Sequence, residues 1–329
     1  MKFFNIFFVI FLLFVFLGAK HIFERDGPSE GARIICVKAG MGIHSIAGML
    51  KRKGLINKRL FFICAVNCLG KAKEFKAGEY EIPAHASMQT IMEILMLGHS
   101  IEHRFTVPEG LTVSQVVDLL AQDVILIGPL PKQLPYEGWL LTDTIKFFRG
   151  TSRSEIIERL HERQIHLVKE IWKTRDPDLP LKDMNELVTL ASIVEKETSL
   201  ALERRHIASV FYNRLKKKMP LQSDSTVLYG VFYNKGKLPD RPIYRSDLDQ
   251  RTAFNTYQIS GLPPSAIANP GRAALQAVAH PMDTDDIYFV ADGKGGHVFA
   301  KSLNEHNINV IKWRQFQKRR KRIHSCEET

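Results

Sequence analysis

DMNELVTLASIVEKET, residues Asp183 to Thr198, reads as one helix. Asp183 and Glu186, three residues apart, give a start of capping-box type. Met184, Leu187, Val188, Ala191 and Val194 recur at helical spacing, and that apolar stripe has to be buried. Glu195 stands seven residues after Val188, so at 100° per residue it projects within roughly 20° of the stripe. A carboxylate there costs free energy unless it is paired or lines a cleft, and a dry wall raises its pKa, the property a general acid needs. The plainer alternative is a partly buried, paired carboxylate of the kind common at helix ends. Glu197 points about 200° away from Glu195 and reads as solvated or salt-bridged.

Upstream, Asp176-Pro177-Asp178-Leu179-Pro180 interrupts the chain, and a helical region runs from Ser152 to about Lys173. Three prolines and a glycine between Gly128 and Pro135 mark a domain boundary. Before it, a theme of short strand, Gly- or Pro-bearing turn and amphipathic helix occurs three times. The first copy is Ile34 to Val37 with Ile43, Ile46, Ala47 and Leu50. The second is Tyr80 to Pro83 with Met88, Ile91, Met92 and Leu95, stopped by Gly98. The third is Arg104 to Val107, the turn Pro108-Glu109-Gly110, then Val113, Val116, Val117 and Leu120. Their uneven spacing argues against a solenoid. Short strands mixed with helices in this way predict an α+β fold.

At the N-terminus, Phe3 to Ala19 is apolar apart from Asn5, and as a helix those residues span roughly 25 Å, short but adequate for a thin bilayer. The run is either a retained transmembrane anchor or a signal peptide cut near Leu17-Gly18-Ala19, and both carry the rest of the chain out of the cytoplasm. A polar Gly/Pro/Ser linker, Asp26 to Gly31, follows. The 329 residues carry a formal charge of +11 and a pI near 9.4, which suits an acidic partner: nucleic acid, anionic lipid or an anionic wall polymer. Export and the lack of a nucleic-acid motif weigh against the first. Four cysteines (Cys36, Cys64, Cys68 and Cys326) are too few for a disulfide scaffold, although three full pairings are open. Cys64 and Cys68, at i,i+4 of one helix, read as buried apolar thiols.

Around the first helix lie LASIVEKET (Leu190 to Thr198), ASVFYNRL (Ala208 to Leu215), LQSDSTVLYG (Leu221 to Gly230), FNTYQISGLPPSAIANPG (Phe254 to Gly271), YFVADGKGGHVFA (Tyr288 to Ala300) and EGWL (Glu137 to Leu140). From about Arg33 to Trp313 this order of motifs resembles the YceG-like family of endolytic murein transglycosylases. The resemblance implies a small LysM-like module before the catalytic domain, and a catalytic glutamate at the first Glu of VEKE, here Glu195. It implies cleavage of the β-1,4 bond between MurNAc and GlcNAc in nascent glycan strands, with a 1,6-anhydro-MurNAc end, terminating elongation. The sugar's own hydroxyl is then the nucleophile, so neither a second obligatory carboxylate nor a metal or organic cofactor is needed. Gln222, Ser223 and Asp224 on one side and Asn255 and Tyr257 on the other are candidate sugar contacts. The alternative for each is loop scaffolding, with Gly261-Leu262-Pro263-Pro264 fixing a turn.

Three segments depart from the family's usual pattern. Asp224-Ser225-Thr226 stands for Asp-Pro-Thr, Phe254-Asn255-Thr256-Tyr257 for Tyr-Asn-Thr-Tyr, and Leu141-Thr142-Asp143-Thr144-Ile145 for Phe-Pro-Asp-Thr-Tyr. None removes the acid, and Phe254 loses whatever a hydroxyl there would touch. His99-Ser100-Ile101-Glu102-His103 matches H-x-x-E-H, a zinc-peptidase pattern, but a helix stop at Gly98 and a strand from Arg104 would keep the histidines off one helical face. Asp292-Gly293-Lys294-Gly295-Gly296 reads as a hairpin turn and not a phosphate cradle. Lys312 to Arg322 holds seven Lys or Arg and reads as a solvated basic tail, with attraction to lipid or wall polymer as the alternative.

The division expected is an anchor at 1–20, a linker at 21–32, the LysM-like and strand-turn-helix region at 33–127, a boundary at 128–151, the catalytic domain at 152–316 and the tail at 317–329. The resemblance places a single-pass protein in the bacterial inner membrane with its catalytic domain in the periplasm, acting on peptidoglycan strands beside penicillin-binding proteins or other wall synthases. A rival from another class is a wall-binding scaffold that has lost turnover.

Overall fold

The computed structural model describes the backbone of residues 2–236 and 241–327. In the first part of the chain, helix α1 (Lys2–Glu24) precedes β1 (Arg33–Val37), α2 (Ile43–Arg52), α3 (Arg59–Cys68), β2 (Gly78–Ile82), α4 (Met88–Leu97) and β3 (Glu102–Thr106). Then come α5 (Val113–Gln122), β4 (Thr144–Phe148), α6 (Arg153–Thr174), α7 (Met184–Glu197), α8 (Arg204–Lys216) and α9 (Asp224–Val231). The last elements are α10 (Arg245–Leu248), α11 (Arg272–Ala279), β5 (Tyr288–Ala291), β6 (His297–Ala300) and α12 (Leu303–Glu327). The α+β class stands, with, among the described residues, one apolar N-terminal helix long enough to cross a membrane, Ile6–Glu24.

Two compact units form, one of residues 1–104 with 146–151, the other of residues 105–145 with 152–329. In the first, β1 and β2 pair antiparallel, with Ile35 opposite Tyr80. Both are fully buried beside Ile46, Leu50, Phe62 and Ile91. Ser87 caps α4 by accepting the Thr90 N–H, and Gly98, at φ 74°, ends it in the left-handed region where glycine is unstrained. Phe23 of α1 is part of this core. The polar segment that follows is held as well: the Gly27 N–H donates to His85 O at 3.0 Å and the His85 N–H to Ser29 O at 2.7 Å.

One expectation is corrected in this unit. Cys64 and Cys68 are exposed free thiols, not buried ones, because the face of α3 that enters the core is Phe62, Ile63 and Val66. The H-x-x-E-H residues are divided between a coil and β3, and Glu102 and His103 are otherwise engaged. His103 Nε2 lies 2.6 Å from Glu79 Oε2, and Glu102 pairs with Lys146 at 2.8 Å.

In the second unit α11 packs against α6, α7 and α8. Helix α7, expected to bury a single stripe, buries every residue from Leu187 to Val194, since neighbours cover it on several sides. Its polar members are satisfied: Ser192 Oγ donates to Thr189 O at 2.7 Å and accepts the Ile267 N–H at 3.0 Å. Asp183 caps the helix by accepting the Glu186 N–H at 3.0 Å, while the Glu186 carboxylate reaches back to the Lys182 N–H at 2.7 Å. β5 and β6 form an antiparallel hairpin, closed by Asp292 Oδ1 accepting from the Lys294 and Gly296 amides. The basic tail lies on α12, and its side chains beyond residue 319 fall outside the described residues.

Candidate active site

The last turn of α7 presents Glu195, whose side chain is 5% exposed. Its Oε2 accepts the Gly271 N–H at 2.9 Å, and Oε1 lies 3.4 Å from Arg204 Nη2. Gly271 is the N-cap of α11, so a helix N-terminus faces the carboxylate. Arg204, the first residue of α8, also approaches Glu109 Oε2 at 3.8 Å. Glu109 belongs to the Pro108-Glu109-Gly110 turn. Its carboxylate lies so close over Gly271 that a Cβ there would come within 1.8 Å of Oε1 and push the Glu109 side chain aside. Gly110, at φ 76°, lets the turn pass beside the Glu195 side chain.

Burial raises the Glu195 pKa above the ordinary carboxylate range. The Gly271 N–H opposes that rise, the Glu109 charge adds to it, and Arg204 opposes it again. The carboxyl is therefore biased toward its protonated, proton-donating form.

Asn269 holds the walls of this site in register. Wholly buried, it donates from Nδ2 to Leu111 O at 2.8 Å and accepts the Leu140 N–H on Oδ1 at 2.9 Å, and its carbonyl accepts the Gly110 N–H at 3.0 Å. Glu137 braces the same region from Oε1, which accepts the Val113 N–H at the start of α5 at 2.7 Å, while Oε2 takes the Tyr229 hydroxyl at 3.2 Å. Burial pushes its pKa up to about 7. A cleft of about 550 Å³ adjoins the site, lined by Glu109, Thr142, Asp143, Arg163, Glu170 and Arg272 among others, a volume suited to a small-molecule or sugar ligand.

Ser223, Asp224 and Tyr257 of the five expected sugar contacts lie elsewhere, on the Glu197 side, with Gln222 joined to them through Arg214. Ser223 Oγ donates to Glu197 Oε1, with Ser225 Oγ at 3.5 Å. The Tyr257 hydroxyl donates to Asp224 Oδ1 at 2.7 Å, and Arg214 Nη1 donates to Gln222 Oε1 at 3.2 Å. Glu197 is thus neither solvated nor salt-bridged as its angle suggested. It is half-buried against the Ser223 loop, and that desolvation raises its pKa. Asn255 is held by its own loop. It is 0% exposed, its Nδ2 donates to the Leu248 and Gln250 carbonyls, and its Oδ1 accepts the Tyr257 N–H, so its amide serves its own loop. Glu109, Arg204, Gly271, Asn269 and Glu137 were missed as site residues. Three of them, Glu137, Asn269 and Gly271, lie inside motifs visible in the sequence, and Glu109 lies in a Pro-Glu-Gly segment that by sequence signals only a turn. His297 Nδ1 pairs with Glu203 at 2.8 Å, and the His306 ring stacks on Tyr288.

Comparison with known proteins gives a consistent picture. The YceG-like family matches residues 35–312. A Bacillus subtilis protein named endolytic murein transglycosylase is 32% identical over 323 residues, covering 89% of this chain and 88% of its own length. A protein of the same name from Streptococcus pneumoniae is 26% identical over 94% of this chain, which spans only 65% of that longer relative. The crystal structure of a yceG-like protein from Listeria monocytogenes superposes with a TM-score of 0.52 at 28% identity, covering 85% of this chain and 99% of that one.

Proposed function

Because this chain belongs to the YceG-like family, we propose that it is a lyase, an endolytic murein transglycosylase, with Glu195 as its acid and base. The observation that carries the reading is the nearly buried Glu195 carboxyl, raised in pKa, beside a second carboxylate, one arginine and a helix N-terminus. In the proposed reaction Glu195 gives its proton to the glycosidic oxygen between MurNAc and GlcNAc as the C1–O bond breaks. The resulting carboxylate then takes the proton of the MurNAc C6 hydroxyl, whose oxygen bonds to C1 and closes the 1,6-anhydro ring. No water is consumed. Glu109, partly exposed, places a second carboxylate near the oxocarbenium-like centre. The strand extends into the adjoining cleft lined by Thr142, Asp143 and Arg272. Gln222, Ser223, Asp224 and Tyr257 contact the sugar across the Glu197 side, with Asn255 shaping their loop.

The finer organisation belongs to the same proposal. Residues 1–20 are a single-pass anchor in the inner membrane, and the catalytic unit lies in the periplasm beside the wall synthases. Unit 1 contains a LysM-like module, a reading supported by the order β1, α2, α3, β2 with antiparallel strands. The chain, reconstituted with uncrosslinked glycan strands and followed by mass spectrometry, is expected to yield anhydro-MurNAc ends that vanish in Glu195→Gln. Reducing ends would mean hydrolysis instead, and binding without product would favour the scaffold.

A further inference from the structure

Helix α3, RLFFICAVNC, is apolar on nearly every side, a composition that belongs in a core or in lipid. Only one face, Phe62, Ile63 and Val66, reaches the core of its unit. A second, Phe61, Cys64, Ala65 and Cys68, follows the i, i+3, i+4, i+7 pattern and walls a hollow of about 620 Å³. The opposite wall is α1 itself, through Phe16, Ala19 and Phe23. Leu60, on the outer side of α3, is 73% exposed, and Leu69 just past its end is 53% exposed.

We propose that this groove holds a phospholipid acyl chain of the bilayer that α1 crosses, so that the first unit rests on the membrane surface. The inference depends on α1 being a retained anchor. Two observations select a hydrocarbon occupant. The polar side chains at the groove are already paired, Lys20 with Glu24 at 3.7 Å and Gln89 with Glu93 at 2.9 Å. They leave little for the amides of a peptide, which would be costly to bury unpaired. The groove is also continuous with the end of the apolar run. Phe3 to Ala19 falls short of a hydrocarbon core roughly 30 Å thick, so the turns from Ala19 to Phe23, and α3 beside them, lie at the depth where acyl chains end. Lys58 and Lys73, both exposed, flank α3 at its two ends and suit an anionic lipid surface.

The test uses the full chain in nanodiscs of phosphatidylglycerol and phosphatidylcholine. Bimane is placed on Cys64 after Cys36→Ser, Cys68→Ser and Cys326→Ser. A second probe uses Leu60→Cys with Cys64 also changed to Ser, in case a label inside the groove disturbs it. Lipids brominated near the headgroup end of the chain should remove at least half of the fluorescence at both positions, and aqueous iodide should have little effect. Strong iodide quenching without bromolipid quenching, in protein that remains in the disc, would overturn the lipid contact while leaving the anchor intact. Protection of Cys64 from both quenchers would mean a protein segment or second copy fills the groove, which also overturns it. Protein that never enters the disc would remove the anchor reading and this inference together.

Discussion

Glu195 and Glu197 are two residues apart on α7 and both largely withdrawn from solvent, yet their surroundings assign them different work. Glu195 meets a backbone N–H, an arginine and a second carboxylate, whereas Glu197 is held by serine hydroxyls. Because Glu197 already leans toward its neutral form, Glu197→Gln should keep the fold and a measurable rate, whereas Glu195→Gln should lose roughly 10²–10⁴ in kcat. Comparable losses in the two variants would remove the distinction. The pH profile follows from the same raised pKa. Glu195 must enter the reaction protonated, so kcat/KM should fall as pH rises through its elevated value, and that limb should lie above the ordinary glutamate range. In Gly271→Ala, which forces Glu109 aside, the limb should move toward lower pH, because the Glu109 charge helps keep Glu195 protonated. The orientation of Glu195 was legible from one helix's periodicity. Its partners were not, because a helical angle reports the side from which a residue leaves its own helix and nothing of what is packed there. The same limit misplaced Glu197: the angle held, but the Ser223 loop and not water occupied that side.

Among elements, those with local punctuation were readable: Gly98 ends α4, Ser152 opens α6 by accepting the Glu155 N–H, and Asp292 closes the β5–β6 hairpin. Pairings set by distant residues were not, and Glu137 is an example. Its carboxyl joins the start of α5 to Tyr229 of α9 across more than ninety residues. This join carries a pH signature. A carboxyl whose folded pKa is about 7 releases its proton later in the folded than in the unfolded chain, so its contribution is fully present below about pH 4.5 and fades as pH rises through about 7. The linkage is on the order of 3 kcal/mol at most. Glu137→Gln keeps acceptors for the Val113 N–H without the ionisation, so it should flatten the fall in melting temperature between pH 5 and pH 8. An unchanged slope would show that Glu137 does not titrate in that window.

At the scale of the molecule, the N-terminal segment is a structural part of the first unit and more than a tether. The residues between α1 and β1 look like a linker by composition, and composition reports solubility but not hydrogen bonding. Gly27 lies against the Ala86 carbonyl so closely that a Cβ would come within 2.2 Å, Ser29 is 5% exposed, and Phe23 is 8% exposed in the core. A chain begun at Gly31, the natural choice from sequence, removes the Phe23 ring and both backbone hydrogen bonds to His85. Losing a buried phenylalanine costs about 3–5 kcal/mol, so that chain should unfold its first unit at a markedly lower urea concentration than one begun at Lys20. Phe23→Ala in the longer chain should reproduce most of the loss. The second unit has its own core, built around α7, and its unfolding should shift little between the two starts. Coincident midpoints for both chains would mean that the packing of α1 onto the first unit contributes nothing to its stability.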